Sequence, residues 1–209
     1  MNIKVCGMKH PQNIKELANL PIQLMGLIFY EKSPRYAGNL DAKELPESIQ
    51  KVGVFVNETE ENILSKIETY HLEYIQLHGD ESPEFCKRFA SKNVKIIKAF
   101  PIAESADLEK TKAYEKVCDF FLFDTKTPNY GGSGKKFDWQ ILSSYSSSTP
   151  FFLSGGIDLE DVQAIQQIKN PSFFAVDLNS RFEIEPGLKD IQKLKQFTSP
   201  PALPTREGA

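Results

Sequence analysis

Short apolar runs alternate with helix-like segments eight times along this chain of 209 residues. The runs are Ile3 to Cys6, Ile22 to Tyr30, Val52 to Val56, Tyr74 to Leu77, Val94 to Phe100, Phe120 to Phe123, Pro150 to Leu153 and Phe173 to Val176. Helices are expected between them: Pro11 to Leu20, Asp41 to Gln50, Glu60 to Tyr70, a helix opened by Ser82-Pro83, Ala103 to Lys116, Trp139 to Tyr145, Leu159 to Ile168 and, last, Leu188 to Phe197. Uninterrupted apolar strands such as Phe120-Phe121-Leu122-Phe123, bounded by Asp119 and Asp124, suit burial on both faces, which is the habit of parallel sheets. Strand–helix alternation means a parallel sheet, and eight such units close into a (β/α)8 barrel. An open doubly wound sheet fits less well, because no GxGxxG follows the first strand. The domain is expected over residues 1–197, with a flexible C-terminal tail over 198–209, where prolines accumulate.

Bulk properties narrow the function. Net charge is −3, which leaves no electrostatic footprint for nucleic acid. No apolar run nears the ~20 residues that span a bilayer. The N-terminus lacks the order of a signal peptide, so Cys6, Cys86 and Cys118 are expected as reduced thiols in a cytoplasmic protein. No CxxC pair occurs and the three histidines are scattered, so no metal is expected.

Polar residues at strand ends carry the chemistry. Alternate residues of a barrel strand point inward. Counting back from the strand ends places Cys6, His78, Asp124 and Asp177 at one rim, with Lys4 and Gln76 on the same inner face. A polar residue there is costly unless paired, so several together suggest a site. Cys86 and Cys118 read as core. Ser154-Gly155-Gly156-Ile157 before a helix reads as a phosphate cradle, since glycines let backbone N–H groups approach an anion. Asn179-Ser180, after the eighth strand, would supply the other wall. The loop holding Gly131-Gly132-Ser133-Gly134-Lys135-Lys136 departs from the GxxxxGK[ST] pattern of nucleotide sites and is expected to be a lid. Arg35 has the planar fork that suits a carboxylate.

These motifs resemble phosphoribosylanthranilate isomerase. Lys4-Val5-Cys6-Gly7-Met8, Ser33-Pro34-Arg35-Tyr36, Gln76-Leu77-His78-Gly79-Asp80-Glu81, Asp124-Thr125, Ser154-Gly155-Gly156-Ile157 and Asp177-Leu178-Asn179-Ser180 carry the likeness, followed by Glu183, Pro186-Gly187 and Lys189-Asp190. Arg181-Phe182 departs from the smaller residues common there. The resemblance implies a barrel enzyme of tryptophan biosynthesis that uses no cofactor. It implies an Amadori rearrangement with Asp124 as general acid and Cys6 as general base. Arg35 is expected to pair with the anthranilate carboxylate, while His78 and Asp177 orient the substrate or tune the acid. Gly155, Gly156, Asn179 and Ser180 would bind the phosphate. The partner is then one small phosphorylated substrate, with no nucleic acid and no membrane, and the assembly is a monomer or homodimer. For the chemistry to run, the Asp124 pKa must rise through burial and nearby Asp177, and the Cys6 thiol must ionise more easily, helped by Lys4. Three other readings fit the sequence less well. The aminoimidazole isomerase of histidine biosynthesis has an aspartate where Cys6 stands and a substrate with two phosphates. A lyase like the tryptophan synthase α chain needs acids at earlier strands. A non-catalytic phosphate-ligand barrel would have lost Cys6, Asp124 or the glycines.

Overall fold

The computed structural model describes residues 1–126 and 136–199. Eight parallel strands close into a barrel: β1 (Asn2–Cys6), β2 (Leu24–Ile28), β3 (Gln50–Phe55), β4 (Tyr74–Leu77), β5 (Lys95–Ile102), β6 (Phe120–Thr125), β7 (Phe151–Leu153) and β8 (Phe173–Leu178). Sequence neighbours pair throughout, and β1 meets β8 with Lys4 opposite Asp177. The (β/α)8 expectation holds.

Strand alternation splits the apolar residues into two cores. Inside the barrel lie Leu24, Val52, Tyr74, Ile97, Ala99, Leu122, Phe152 and Ala175. A larger core fills the space between barrel and helices, with Phe55, Phe89, Phe121, Phe123 and Phe151 wholly enclosed. Cys86 and Cys118 belong to this outer core, as expected.

The covering layer is thinner than the sequence suggests. True α-helices are α1 (Pro11–Leu17), α2 (Glu60–Tyr70), α3 (Pro83–Lys87), α4 (Val162–Gln166) and α5 (Ile191–Thr198). Thr59, Ser82 and Asp190 cap α2, α3 and α5 by accepting from the N–H three residues on. The helix expected over Asp41 to Gln50 is a single 3₁₀ turn, Ala42–Glu44. Pro46 forces Leu45 into extended backbone and stops it. The helices expected at Ala103 to Lys116 and Trp139 to Tyr145 are 3₁₀ segments, Ser105–Ala113 and Trp139–Ser144. Asp138 caps the second, accepting from the Gln140 N–H at 2.9 Å. Asp158 likewise caps the seventh-unit helix, which begins as 3₁₀ at Leu159–Asp161. The last expected helix starts late: Leu188–Lys189 is a strand, β10, paired antiparallel with β9 (Glu183–Glu185). No helix among the described residues is long and apolar enough to cross a membrane. The glycine loop 131–134 expected as a lid, and residues 200–209 of the expected tail, lie outside the described residues.

Candidate active site

One cavity of about 250 Å³ opens at the C-terminal ends of the strands, and all nine residues singled out from the sequence line it: Cys6, Arg35, His78, Asp124, Gly155, Gly156, Asp177, Asn179 and Ser180. Each arrives on its own element. Cys6 ends β1, His78 follows β4, the glycines follow β7, and Asp124 and Asp177 are the next-to-last residues of β6 and β8.

The thiol sits in a charged, closed pocket. Cys6 is 4% exposed and Lys4, two residues back on the same inner face, is fully buried. The Lys4 ammonium donates to Asp177 Oδ1 at 2.9 Å. Burial works to discharge Lys4, but Asp177 and the neighbouring thiol outweigh it and hold the pKa above the ordinary lysine value. Cys6 corrects an expectation. Burial is the largest influence on it and pushes the thiol up, and the pull of Lys4 does not cancel that. Room for the sulfur comes from Gly26, its neighbour on β2: a Cβ there would stand 2.7 Å from Cys6 Sγ.

The acid is less enclosed than expected. The Asp124 side chain is 21% exposed, accepts from the Thr125 N–H at 2.8 Å and faces His78 Nε2 at 3.4 Å. The deeply buried carboxylate is Asp177, pushed up by burial against the pull of Lys4. On the far side of the imidazole, Gln76 Nε2 lies 2.6 Å from His78 Nδ1. The His78 loop is anchored from below. Glu81 accepts from the Asn57 and Gly79 N–H groups at 2.8 and 2.9 Å and pairs with buried Lys98 at 3.2 Å.

Two turns close the other end of the cavity. Gly155 and Gly156 have φ of +94° and +66°, where L side chains are strained. A Cβ on Gly155 would stand 2.2 Å from Thr125 Oγ1 and 3.0 Å from Asp124 Oδ1, so this glycine brings the cradle against the acid. Across from it, Asn179 opens a short 3₁₀ helix, Ser180–Phe182. Among the described residues, the N–H groups of Gly155, Gly156 and Ser180 donate to no backbone carbonyl. Phe182 does not disturb this wall. It is buried against Phe197, ring centroids 5.3 Å apart, while Arg181 lines the cavity.

Arg35 is engaged by a residue to which the sequence reading gave no role. Its Nε and Nη2 fork onto the Glu183 carboxylate at 2.9 and 2.7 Å. Lys189 reaches the same carboxylate at 2.6 Å and Asn179 Oδ1 at 2.7 Å. Among the described residues, no group of three or more His, Cys, Asp or Glu could hold a metal ion.

A glycine turn after the seventh strand and an Asn-Ser turn after the eighth, at the mouth of a closed parallel barrel, define the class: a (β/α)8 barrel with a thiol and a carboxylate sharing the cavity at one mouth. Comparison with known proteins narrows this. The family model for N-(5'-phosphoribosyl)anthranilate isomerase matches residues 3–199, and the chain belongs to that family. A relative of that name from Parabacteroides distasonis is 54% identical, over 94% of this chain and 91% of its own length. The crystal structure of phosphoribosyl anthranilate isomerase from Thermotoga maritima superposes with a TM-score of 0.84 at 37% identity, covering 94% of this chain and 96% of its own. Another isomerase structure of this name, in complex with reduced 1-(o-carboxyphenylamino)-1-deoxyribulose 5-phosphate, gives a TM-score of 0.81 at 32% identity, covering 95% and 96%.

Proposed function

We propose that this chain isomerises N-(5'-phosphoribosyl)anthranilate to 1-(2-carboxyphenylamino)-1-deoxyribulose 5-phosphate in tryptophan biosynthesis, with Asp124 as general acid and Cys6 as general base. The carrying observation is that a thiol, a carboxylate, the Gly155-Gly156 turn and the Asn179-Ser180 turn line a single cavity. Family membership supplies the substrate, an aminoaldose.

The step sequence is that of the family's Amadori rearrangement, and the positions of the groups support it. The sugar phosphate is held between Gly155-Gly156 and Asn179-Ser180. This sets the ribose beside Asp124, which touches the cradle. Asp124 protonates the ring oxygen as the C1–O bond breaks, and the anilino nitrogen lone pair forms the Schiff base. Cys6, as thiolate, removes the C2 proton, and the electron pair neutralises the iminium to give an enolamine. Tautomerisation of the enolamine yields the ketone, so the reaction is redox-neutral overall and no co-reactant enters. Arg35 takes the anthranilate carboxylate, and Asp177 keeps Lys4 beside the thiol. His78 orients Asp124. Three free cysteines fit a reducing, cytoplasmic setting.

Substrate fluorescence, followed as freshly made phosphoribosylanthranilate is consumed, tests the reading. Cys6→Ala and Asp124→Asn are each expected to cut kcat by at least ~10²-fold with smaller effects on KM. Near-normal kcat in either variant removes that residue from its role. Turnover of the aminoimidazole ribotide in preference to this substrate would overturn the assignment.

A further inference from the structure

Glu183 and Lys189 lie outside the cavity wall, yet both hold residues that form it. They are partners in the β9–β10 register, so the hairpin delivers them together. Their side chains are 4% and 0% exposed. Burying three charges this tightly is expensive unless each is paired. Here one carboxylate serves two cations. Arg35 spends Nε and Nη2 on Glu183, in the two-nitrogen geometry that fixes a guanidinium plane, and Lys189 occupies Oε1. The Gly187 N–H donates to the same carboxylate at 3.0 Å.

The hairpin also supports the Arg35 loop a second way. Gly187, at φ +91°, lets the Lys9 stem pack on the turn, where a Cβ would meet Lys9 Cε at 2.6 Å. Lys9 Nζ then donates to the Pro34 carbonyl at 2.9 Å, one residue before Arg35. On the other side, the Arg35 stem lies against Gly7, where a Cβ would stand 2.8 Å from Arg35 Cδ. The arginine is thus held at its head, stem and loop.

We propose that Glu183 is a positioning residue for substrate recognition: it clamps Arg35 so that the remaining face of the guanidinium, with Nη1, meets the substrate carboxylate, while Lys189 balances the charge. This rests on the reading of Arg35 given above. Burial pulls the Lys189 pKa below the ordinary lysine value while Glu183 holds it up; with Lys189 protonated, the trio of Arg35, Lys189 and Glu183 carries one net positive charge, which attracts an incoming carboxylate although Arg35 already has a partner. Burial alone would raise the Glu183 pKa. The Arg35 hydrogen bond and the Lys189 charge hold it below the ordinary value, so the clamp stays ionised at neutral pH.

The sign of the KM change separates clamping from simple attraction. Glu183→Gln makes the pocket more positive, so attraction alone predicts a lower KM. Loss of a clamp predicts a KM about tenfold higher with kcat within about twofold. Steady-state rates on phosphoribosylanthranilate are measured for Glu183→Gln, Arg35→Met and the double variant. If Glu183 acts through Arg35, Arg35→Met raises KM alone and Glu183→Gln adds nothing on top of it. A KM for Glu183→Gln that is unchanged or lower, or effects that multiply in the double variant, overturns the proposal. A normal KM in Arg35→Met overturns the carboxylate reading itself, and the proposal with it. Should Glu183→Gln fail to fold, Arg35→Lys keeps the charge but cannot fork. Its KM is expected near that of Arg35→Met, and a wild-type KM would sink the clamp.

Discussion

At the scale of single residues, the site depends on side chains that are missing as much as on those present. Gly26 pairs with Cys6 across β1 and β2, and its backbone has no positive φ. What it contributes is space. An added methyl would approach Cys6 Sγ at 2.7 Å and the Cys6 Cα at 3.0 Å, so the sulfur or the strand must shift. A displacement near 1 Å in a reacting group can cost on the order of 10²-fold. Gly26→Ala is therefore expected to lower kcat between ten- and a hundredfold while KM changes little, since substrate anchors elsewhere. Steady-state kinetics checks this, and an unchanged kcat would mean the thiol has slack. Cys6, Asp124 and the glycine pair were legible in the sequence because each stands at a strand end, where residue order and position in space coincide. Gly26 was not, because a glycine inside an apolar strand carries no sign of what faces it.

Elements were legible where periodicity was strong. All eight strands fell close to their expected places, and α2 matches its expected bounds. Of the three expected helices that are 3₁₀ segments, the one after β5 has little apolar face to bury. Ser105–Ala113 encloses only Asp107, Leu108 and Thr111. The β9–β10 hairpin escaped notice for a related reason. The middle residue of β9, Ile184, points outward at 71% exposure, so Glu183-Ile184-Glu185 gives no inward pattern. The Pro186-Gly187 turn was its one visible sign. Capping takes over where apolar burial is thin. Asp107 accepts from the Ala103 N–H at 3.0 Å and from Lys110 Nζ at 2.9 Å, fixing the start of the 3₁₀ segment. Burial would raise its pKa, but the Lys110 bond and the backbone donors hold it at about 2. A depressed carboxyl contributes stability that is present above its unfolded pKa, near ~3.9, and fades as pH falls toward the folded value. Asp107→Asn is thus expected to lower the urea midpoint at neutral pH and to flatten the stability loss between about pH 4 and pH 2. If wild type and variant show parallel acid profiles, the cap is not contributing.

Across the whole molecule, one ion pair joins closure of the barrel to the reactivity of the thiol. Lys4 and Asp177 face each other where the first strand meets the last, and both are buried. A barrel interior offers water to neither, so removing one partner strands the other at a cost of about 3–5 kcal/mol. For a chain of this size that is roughly 10 °C in Tm. Replacing both with neutral groups removes the penalty. Lys4→Met and Asp177→Asn are each expected to show that loss, and the double variant to recover most of it, measured by thermal and urea unfolding. Chemistry should not recover with stability. The influences on Cys6 rank burial first, raising its pKa, then Lys4, lowering it, then Asp177, raising it. Because the thiolate is the base, the limb of kcat/KM that Cys6 governs is expected to have its midpoint above the ordinary thiol value of ~8.5, while the need for a protonated Asp124 sets the opposing limb. Deleting Lys4 and Asp177 together removes the stronger lowering influence and the weaker raising one, so the limb moves to still higher pH. A double variant that is stable but retains the wild-type pH profile would show that the pair only fastens the barrel, and that the thiolate is stabilised from elsewhere.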